Sequence, residues 1–257
     1  MEISLPLVGK KALVTGASSG LGMHFSRVLA HAGADVCLAA RRHDKLETLA
    51  DEISEMGRNV CVVTMDVADE SSVISGVNSA WDELDGIDVL VNNAGIAASN
   101  SIIDQSLIEW DTVINTNLTG VFLVARETAN KMAERGAGGS VINIASILGF
   151  GVSKGVAAYA VSKAGVVQFT KAMALETARF GVRVNAIAPG YFKTDINSDY
   201  LDSIAGEAML KAIPQRRFGD MQDLDGPLLL LAGDQSQFMT GTTLTVDGGH
   251  SLAIAGT

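Results

Sequence analysis

Cysteine is nearly absent from this 257-residue chain, which carries only Cys37 and Cys61. Each sits in an apolar, strand-like stretch with no CxxC spacing, so a disulfide framework and a thiolate metal site are disfavoured and both read as small buried hydrophobes. The histidines, His24, His31, His43 and His250, are scattered without ligand spacing, and no metal is expected. Proline is scarce too, at 4 residues. With no repeat and no low-complexity linker either, residues 1–257 read as a single domain. No apolar run approaches the roughly 20 residues of a membrane span. Met1–Lys10 lacks the basic and apolar regions of a signal peptide, so a cytoplasmic location is expected. Positive charge is short as well: Lys and Arg total 19 against 29 Asp and Glu, a net charge of -10. That balance argues against nucleic acid or an anionic membrane surface as a partner.

What is abundant is apolar surface, 47% of residues, arranged in a regular alternation. Strand-like runs KALVTG, ADVCLAA, NVCVVTMDV, IDVLVNNAG, SVINIAS, VRVNAIAPG and TTLTVDGG are separated by longer amphipathic stretches. Helices are expected from about Gly20, Asp44 and Glu70, over Ser106 to Arg135, over Ala157 to Phe180, and near Gln222 to Ala232. Strands buried on both faces and alternating with helices imply an α/β fold, a doubly wound, seven-stranded parallel sheet with helices on both faces. The least regular stretch, 193–218, has polar residues, Gly206 and Pro214 around an apolar patch at Leu201, Ile204, Met209 and Leu210. Its place after the sixth strand reads as a substrate lid, with an ordinary surface excursion as the alternative.

Two clusters carry chemistry. The first strand runs into Thr15-Gly16-Ala17-Ser18-Ser19-Gly20-Leu21-Gly22 and opens directly into a helix. Glycines there let the backbone turn sharply and approach a pyrophosphate, whose charge a helix N-terminus stabilises. Further on, Tyr159 and Lys163 stand four residues apart in AAYAVSKAG, and Ser146 lies upstream at the end of SVINIAS. Residues four apart share a helix face, so a Lys ammonium can favour the ionised form of a neighbouring phenol. By itself a YxxxK pair is weak, because such pairs arise by chance on solvated helix surfaces.

The TGxxxGxG turn, Asn92-Asn93-Ala94-Gly95, Asn117, Ser146, Tyr159, Lys163, Pro189-Gly190 and the Asp247 to Gly249 DGG occur in one order over nearly the whole chain. Together they resemble the short-chain dehydrogenase/reductase family, and in general pattern its 3-oxoacyl reductases, through INTNLTGVF and YAVSKAGV. The resemblance implies a Rossmann-fold oxidoreductase that moves hydride between nicotinamide and a carbonyl or alcohol. It assigns Tyr159 as general acid and base, Ser146 as the holder of the substrate oxygen and Lys163 as the group that lowers the tyrosine pKa and binds the ribose hydroxyls. Asn117 is assigned to the anchoring of a water relay behind the lysine. It further implies cofactor contacts at Gly16, Ser18, Ser19, Gly20, Leu21 and Gly22, at Asp66 and Val67 beside the adenine, at Asn93, Ala94 and Gly95, and at Pro189, Gly190, Phe192 and Thr194. For Asp66 the plain alternative is a helix cap or loop turn, and Asn92 and Asn93 are equally good turn formers. A non-catalytic dinucleotide sensor on this fold would be expected to lose Tyr159 or Lys163, and both are present.

An NAD enzyme of this kind places an acid at the end of the second strand. Here that position is Ala40, followed by Arg41 and Arg42, whose guanidinium forks suit a 2′-phosphate, so NADP(H) is expected over NAD(H). Ser19 departs from relatives that carry a basic residue just before the second glycine. The plain alternative for both arginines is a solvated loop, or pairing with Asp44 or Glu47. Ile147, Leu148, Phe150, Val152, Tyr191 and Phe192 suggest a mostly apolar ketone, secondary alcohol or acyl substrate. Relatives that serve an acyl-carrier protein usually place an arginine directly before the glycine matching Gly181; Phe180 stands there, with Arg179 one residue earlier. A carrier-linked substrate is therefore the second reading, and an NAD-dependent secondary alcohol dehydrogenase a third. The two long helices resemble those that pair in family dimers, and a homotetramer or homodimer is expected.

Overall fold

The computed structural model describes residues 7–193 and 203–252. Seven strands form one parallel sheet: β1 (Lys11–Thr15), β2 (Asp35–Ala40), β3 (Val60–Thr64), β4 (Val89–Asn92), β5 (Gly139–Ile144), β6 (Val182–Pro189) and β7 (Thr243–Val246). Their order is β3-β2-β1-β4-β5-β6-β7. The chain winds outward one way from β1 to β3, then crosses back to β4, so β1 and β4 are neighbours and a crevice opens beyond their C-terminal ends.

Alternate residues of each strand serve opposite faces, and both faces are dry. Ala12, Val14, Val36 and Leu38 pack under α1 (Gly20–His31), α2 (His43–Glu55) and α8 (Asp225–Ala232), through Phe25, Leu29, Leu46, Ile53 and Leu228. Leu13, Cys37, Val63 and Leu90 pack on the other side against α3 (Glu70–Leu84), α5 (Gly120–Arg135) and α6 (Ala157–Thr177). Cys37 and Cys61 are register neighbours on β2 and β3, buried and unbonded. The adjacent Cys61 thiol and burial push the Cys37 thiol upward, which keeps it protonated.

The expected helix from Ser106 to Arg135 is in fact three pieces. Ser106 and Glu109 close a capping box that starts α4 (Leu107–Ile114). A π-helical turn, Asn115–Thr119, follows, and α5 begins at Gly120. The backbone stays right-handed through the junction, so the periodicity survives while one wide turn re-aims the side chains. Gly120 is required at the junction, because a Cβ there would lie 2.9 Å from the Val67 carbonyl oxygen.

Other boundaries shift less. A 3-10 turn, Ala178–Phe180, follows α6 and ends at Gly181 with φ +72°. The helix near Gln222 splits into a 3-10 turn, Met221–Leu224, and α8. Of the expected lid, 194–202 lies outside the described residues, with Thr194 and Leu201 in it. Beyond them Ser203 caps α7 (Ile204–Ala212), accepting the Gly206 N–H at 3.4 Å. Among the described residues no helix is long and apolar enough to cross a membrane, and no three His, Cys, Asp or Glu side chains gather as metal ligands.

Candidate active site

The glycine turn links β1 to α1 at the crevice. Gly16 and Gly20 adopt φ +67° and +54°, and a Cβ on Gly16 would lie 2.8 Å from the Ala94 Cα. The NNAG segment after β4 is tied to the same turn. Thr15 Oγ1 accepts the N–H groups of Asn93 and Ala94, each at 3.1 Å, and Asn93 Nδ2 donates to the Thr15 carbonyl at 3.0 Å. Asn92 serves the framework: its Nδ2 donates to Asn143 Oδ1 and to the Val121 carbonyl, and Asn143 in turn donates to Thr170 on α6.

Ser19 is the N-cap residue of α1 yet makes no side-chain cap bond. Its hydroxyl instead accepts from Arg42 Nη2 at 3.0 Å, and Ser18 accepts from the same nitrogen at 3.0 Å. Arg42 therefore arches from the end of β2 over the glycine turn, whereas Glu47 sits beside His43 at 3.5 Å. Arg41 is exposed at the start of the same loop. A Cβ built on Gly20 would meet nothing within 4 Å, so the space in front of the helix N-terminus is open. An open N-terminus, a backbone without side chains and a cationic fork at its rim fit a dinucleotide pyrophosphate and a ribose phosphate. Asp66 Oδ1 closes its own turn by accepting the Ala68 N–H at 3.0 Å, and Val67 is buried against the start of α5. Pro189 ends β6, and a Cβ on Gly190 would lie 2.8 Å from the Asp247 Cα. Phe192 is buried in the core and bridges Gly219.

Tyr159 and Lys163 project from the first turns of α6, with Lys163 Nζ 5.6 Å from the phenol ring centroid. Lys163 is buried, and Nζ donates to the Ile144 carbonyl at 2.7 Å. Burial alone lowers its pKa to about 8. Ser146 follows β5, and its Oγ accepts the Leu148 N–H at 3.1 Å, leaving its proton free to be donated. At Tyr159 the net direction is upward: burial raises the pKa, a hydrogen bond with Ser146 opposes that, and Tyr191 adds to the rise. Lys163 is not among the causes of that shift, so in this arrangement the phenol remains protonated.

Asn117 sits in the π turn. Its Oδ1 accepts the Ile96 N–H at 2.8 Å, and its Nδ2 donates to the Ile96 carbonyl at 2.8 Å and to Ser162 Oγ at 3.2 Å. Ser162 donates to the Tyr159 carbonyl at 2.7 Å, so Asn117 is coupled to the helix that bears the tyrosine. A Cβ on Gly95 would lie 3.3 Å from Asn117 Oδ1 and 3.7 Å from Lys163 Nζ. The roles of Thr15, Ser162 and the Ile144 carbonyl were not expected from the sequence, although Thr15 opens the TGxxxGxG pattern and Ser162 is a hydroxyl inside the YxxxK turn.

Beside these groups lies a cavity of about 510 Å³. Ile147, Leu148, Phe150 and Val152 line it, as expected, with Tyr191, Met209 of α7 and His250. Phe192 faces a second space instead, of about 350 Å³, on the far side of Tyr191.

The fold is of the doubly wound α/β class, and the family match makes the chain an oxidoreductase acting between CH–OH and C=O. Residues 10–204 match the short chain dehydrogenase family, and the chain belongs to it. It is 39% identical to Nodulation protein G of a Rhizobium species over 96% of this chain and 98% of that protein. It is 37% identical to a 3-oxoacyl-acyl-carrier-protein reductase, FabG, of Chlamydia pneumoniae, over 96% and 99% of the two chains. Among solved structures, a gluconate 5-dehydrogenase from Burkholderia cenocepacia, in complex with NADP and tartrate, superposes with a TM-score of 0.94 at 35% identity, covering 98% of each chain.

Proposed function

We propose that this protein is an NADP(H)-dependent reductase of ketones, in which Tyr159 exchanges a proton with the substrate oxygen. The observation that carries the reading is the convergence of Ser146, Tyr159 and Lys163 beside a mainly apolar cavity, with β4 alone between β5 and the strand of the glycine turn. A nicotinamide bound there would supply or accept the hydride. In reduction Ser146 and Tyr159 direct their O–H groups at the carbonyl oxygen, where negative charge grows, and Tyr159 releases its proton to it. Lys163, still cationic at neutral pH, offsets the phenolate that this leaves. Oxidation runs through the same groups reversed.

Gly16, Ser18, Gly20, Leu21 and Gly22 would hold the pyrophosphate, Asp66 and Val67 the adenine, and Lys163 the nicotinamide ribose, with Asn93, Ala94, Gly95 and Pro189, Gly190 and Phe192 bordering the groove. Arg42, over Ser18 and Ser19, supports a 2′-phosphate, as does the NADP bound to the Burkholderia relative. Thr194 keeps its proposed cofactor contact, although it lies outside the described residues. The cavity's apolar walls favour a small ketone or a free or CoA-linked 3-oxo ester. At the point where carrier-protein reductases place an arginine, Phe180 lies under the Arg179 guanidinium at 4.6 Å, which keeps the carrier-linked substrate second.

Assembly as a homodimer or homotetramer is part of the reading. Leu107 and Ile108 of α4 are 72% and 78% exposed, and Phe122 of α5 and Val161 of α6 are partly exposed, which gives the paired-helix surface an apolar character. The decisive assay follows NADPH and NADH consumption by the purified protein over a ketone panel, with light scattering for mass. Oxidation of NADPH in preference to NADH is expected. Cofactor binding without turnover of any ketone would leave a sensor, and a monomeric mass would refute the assembly.

A further inference from the structure

The wall of the larger cavity carries Ser153, Tyr191, His250 and Ser251 among its apolar side chains, and of these His250 is delivered by an unusual turn. β7 is followed by Asp247-Gly248-Gly249-His250, and the Asp247 carboxylate accepts the N–H groups of Gly249 at 2.9 Å and Ser251 at 2.7 Å. Gly248 and Gly249 take φ +62° and +85°, the left-handed region that glycine enters freely. Two such residues in succession fold the chain back and lay the His250 ring beside the Tyr191 ring, with centroids 5.5 Å apart and planes tilted by 41°. Tyr191 is in turn close enough to Tyr159 to act on its ionisation. The imidazole is thus one aromatic ring removed from the proton donor.

Apart from Tyr191, His250 is the one titratable side chain among the described residues of this cavity, whose larger walls are Ile147, Leu148, Phe150, Val152 and Met209. Its Nδ1 is closed off from solvent and has no hydrogen-bond partner among the described residues. With Nδ1 closed off, the ring can meet the cavity only by its other edge, and a glycine-built turn that lays an imidazole on a cavity wall beside Tyr191 points to a polar partner there.

We propose that His250 recognises a second oxygen of the substrate, one beyond the reacting carbonyl, and so selects 3-oxo esters and 3-oxo acids over simple ketones. This rests on the reading of the site as a ketone reductase. The imidazole can donate to or accept from such an oxygen through Nε2, according to its tautomer, while the apolar walls hold the carbon skeleton. A plain ketone of the same length leaves the imidazole unpaired, and a site built around a hydrogen bond discriminates on that ground.

The test compares ethyl 3-oxobutanoate with 2-heptanone, which match in chain length and differ in the ester oxygens, with 3-oxobutanoate as the free-acid arm. Wild-type protein, His250→Phe and His250→Gln are each assayed with the preferred cofactor. The phenylalanine keeps a ring against Tyr191 and removes both nitrogens. The expected result is a loss of about tenfold in kcat/KM for the ester or the acid, mainly through KM, with 2-heptanone changed less than about twofold. Glutamine, which retains a donor, restores part of the preference. A loss confined to the acid identifies the second oxygen as a carboxylate; a loss on the ester identifies a carbonyl. Equal losses on all three compounds, or an unchanged preference, overturn the inference while the reductase reading stands. If wild-type protein turns over none of them with either cofactor, the reductase reading fails and this inference falls with it.

Discussion

Around the glycine turn nearly every contact runs to backbone: Thr15 and Asn93 bind main-chain groups, Asn117 clasps both polar atoms of Ile96, and Lys163 bonds the Ile144 carbonyl. Across Tyr159 the construction changes. There the walls are mainly Leu148, Phe150, Val152 and Met209, side chains on short turns and on α7, with Ser153, Tyr191, His250 and Ser251 as the polar side chains among them. A backbone-fixed groove demands particular residues, because a wrong one collides or leaves a buried amide unpaired. An apolar wall tolerates any side chain of similar volume. The difference teaches why the proposed cofactor side can be read residue by residue, whereas the proposed substrate side shows only a chemical character.

The sharpest cut between the two sides is Tyr159, which belongs to both. Tyr159→Phe should reduce turnover by about 10³-fold while changing NADPH affinity by only a few-fold, measured by steady-state kinetics and cofactor fluorescence. A similar loss in both quantities would place the tyrosine in cofactor binding alone. Lys163 comes next, through stability. Its pKa falls from 10.5 to about 8 on burial, so the folded protein binds fewer protons than the unfolded chain between those values. The charging penalty, about 3 kcal/mol, is therefore fully present below pH 8 and fades as the pH rises to 10.5. Lys163→Met should accordingly raise the melting temperature of the cofactor-free protein at pH 7 by several degrees, less whatever the lost Ile144 bond contributes, and should not do so at pH 10.5. A gain that is the same at both pH values would rule this account out.

A third substitution tests the framework behind the groove. Asn92→Ala strips Asn143 and the Val121 carbonyl of their donor, and thermal or denaturant unfolding should show a loss of about 2 kcal/mol with kcat little altered. A fall in kcat without a fall in stability would instead assign Asn92 to the chemistry. The smallest effect is expected at the rim. Arg42→Ala should reduce kcat/KM for NADPH by about tenfold and leave NADH nearly unchanged, since an exposed fork contributes modestly. An unchanged cofactor preference would return Arg42 to the role of a loop that steadies Ser18 and Ser19.

The strands, the order of helices and the glycine turn were legible because each has a local signature: continuous apolar runs, amphipathic period and glycine spacing. Three features were not. The π turn at Asn115–Thr119 keeps right-handed dihedrals, so no residue type marks it, yet it is what brings Asn117 to Ile96 and Ser162. The expected depression of the Tyr159 phenol depended on charge proximity, while burial dominates in the folded protein. The Arg42 bonds to Ser18 and Ser19 cross more than 20 positions, so neither the solvated-loop reading nor pairing with Asp44 or Glu47 could be decided in advance.

What the sequence determined by itself is the parallel sheet, the glycine turn after its first strand and the residue types gathered at the candidate site, because these follow from hydrophobic period and from residue types with few conformational options. What only the tertiary structure decided is which of those groups meet, how burial sets their protonation, and that His250, an unremarkable residue near the end of the chain, stands on the wall of the cavity beside Tyr191. Such facts depend on distances between elements far apart in sequence, and no local pattern encodes them.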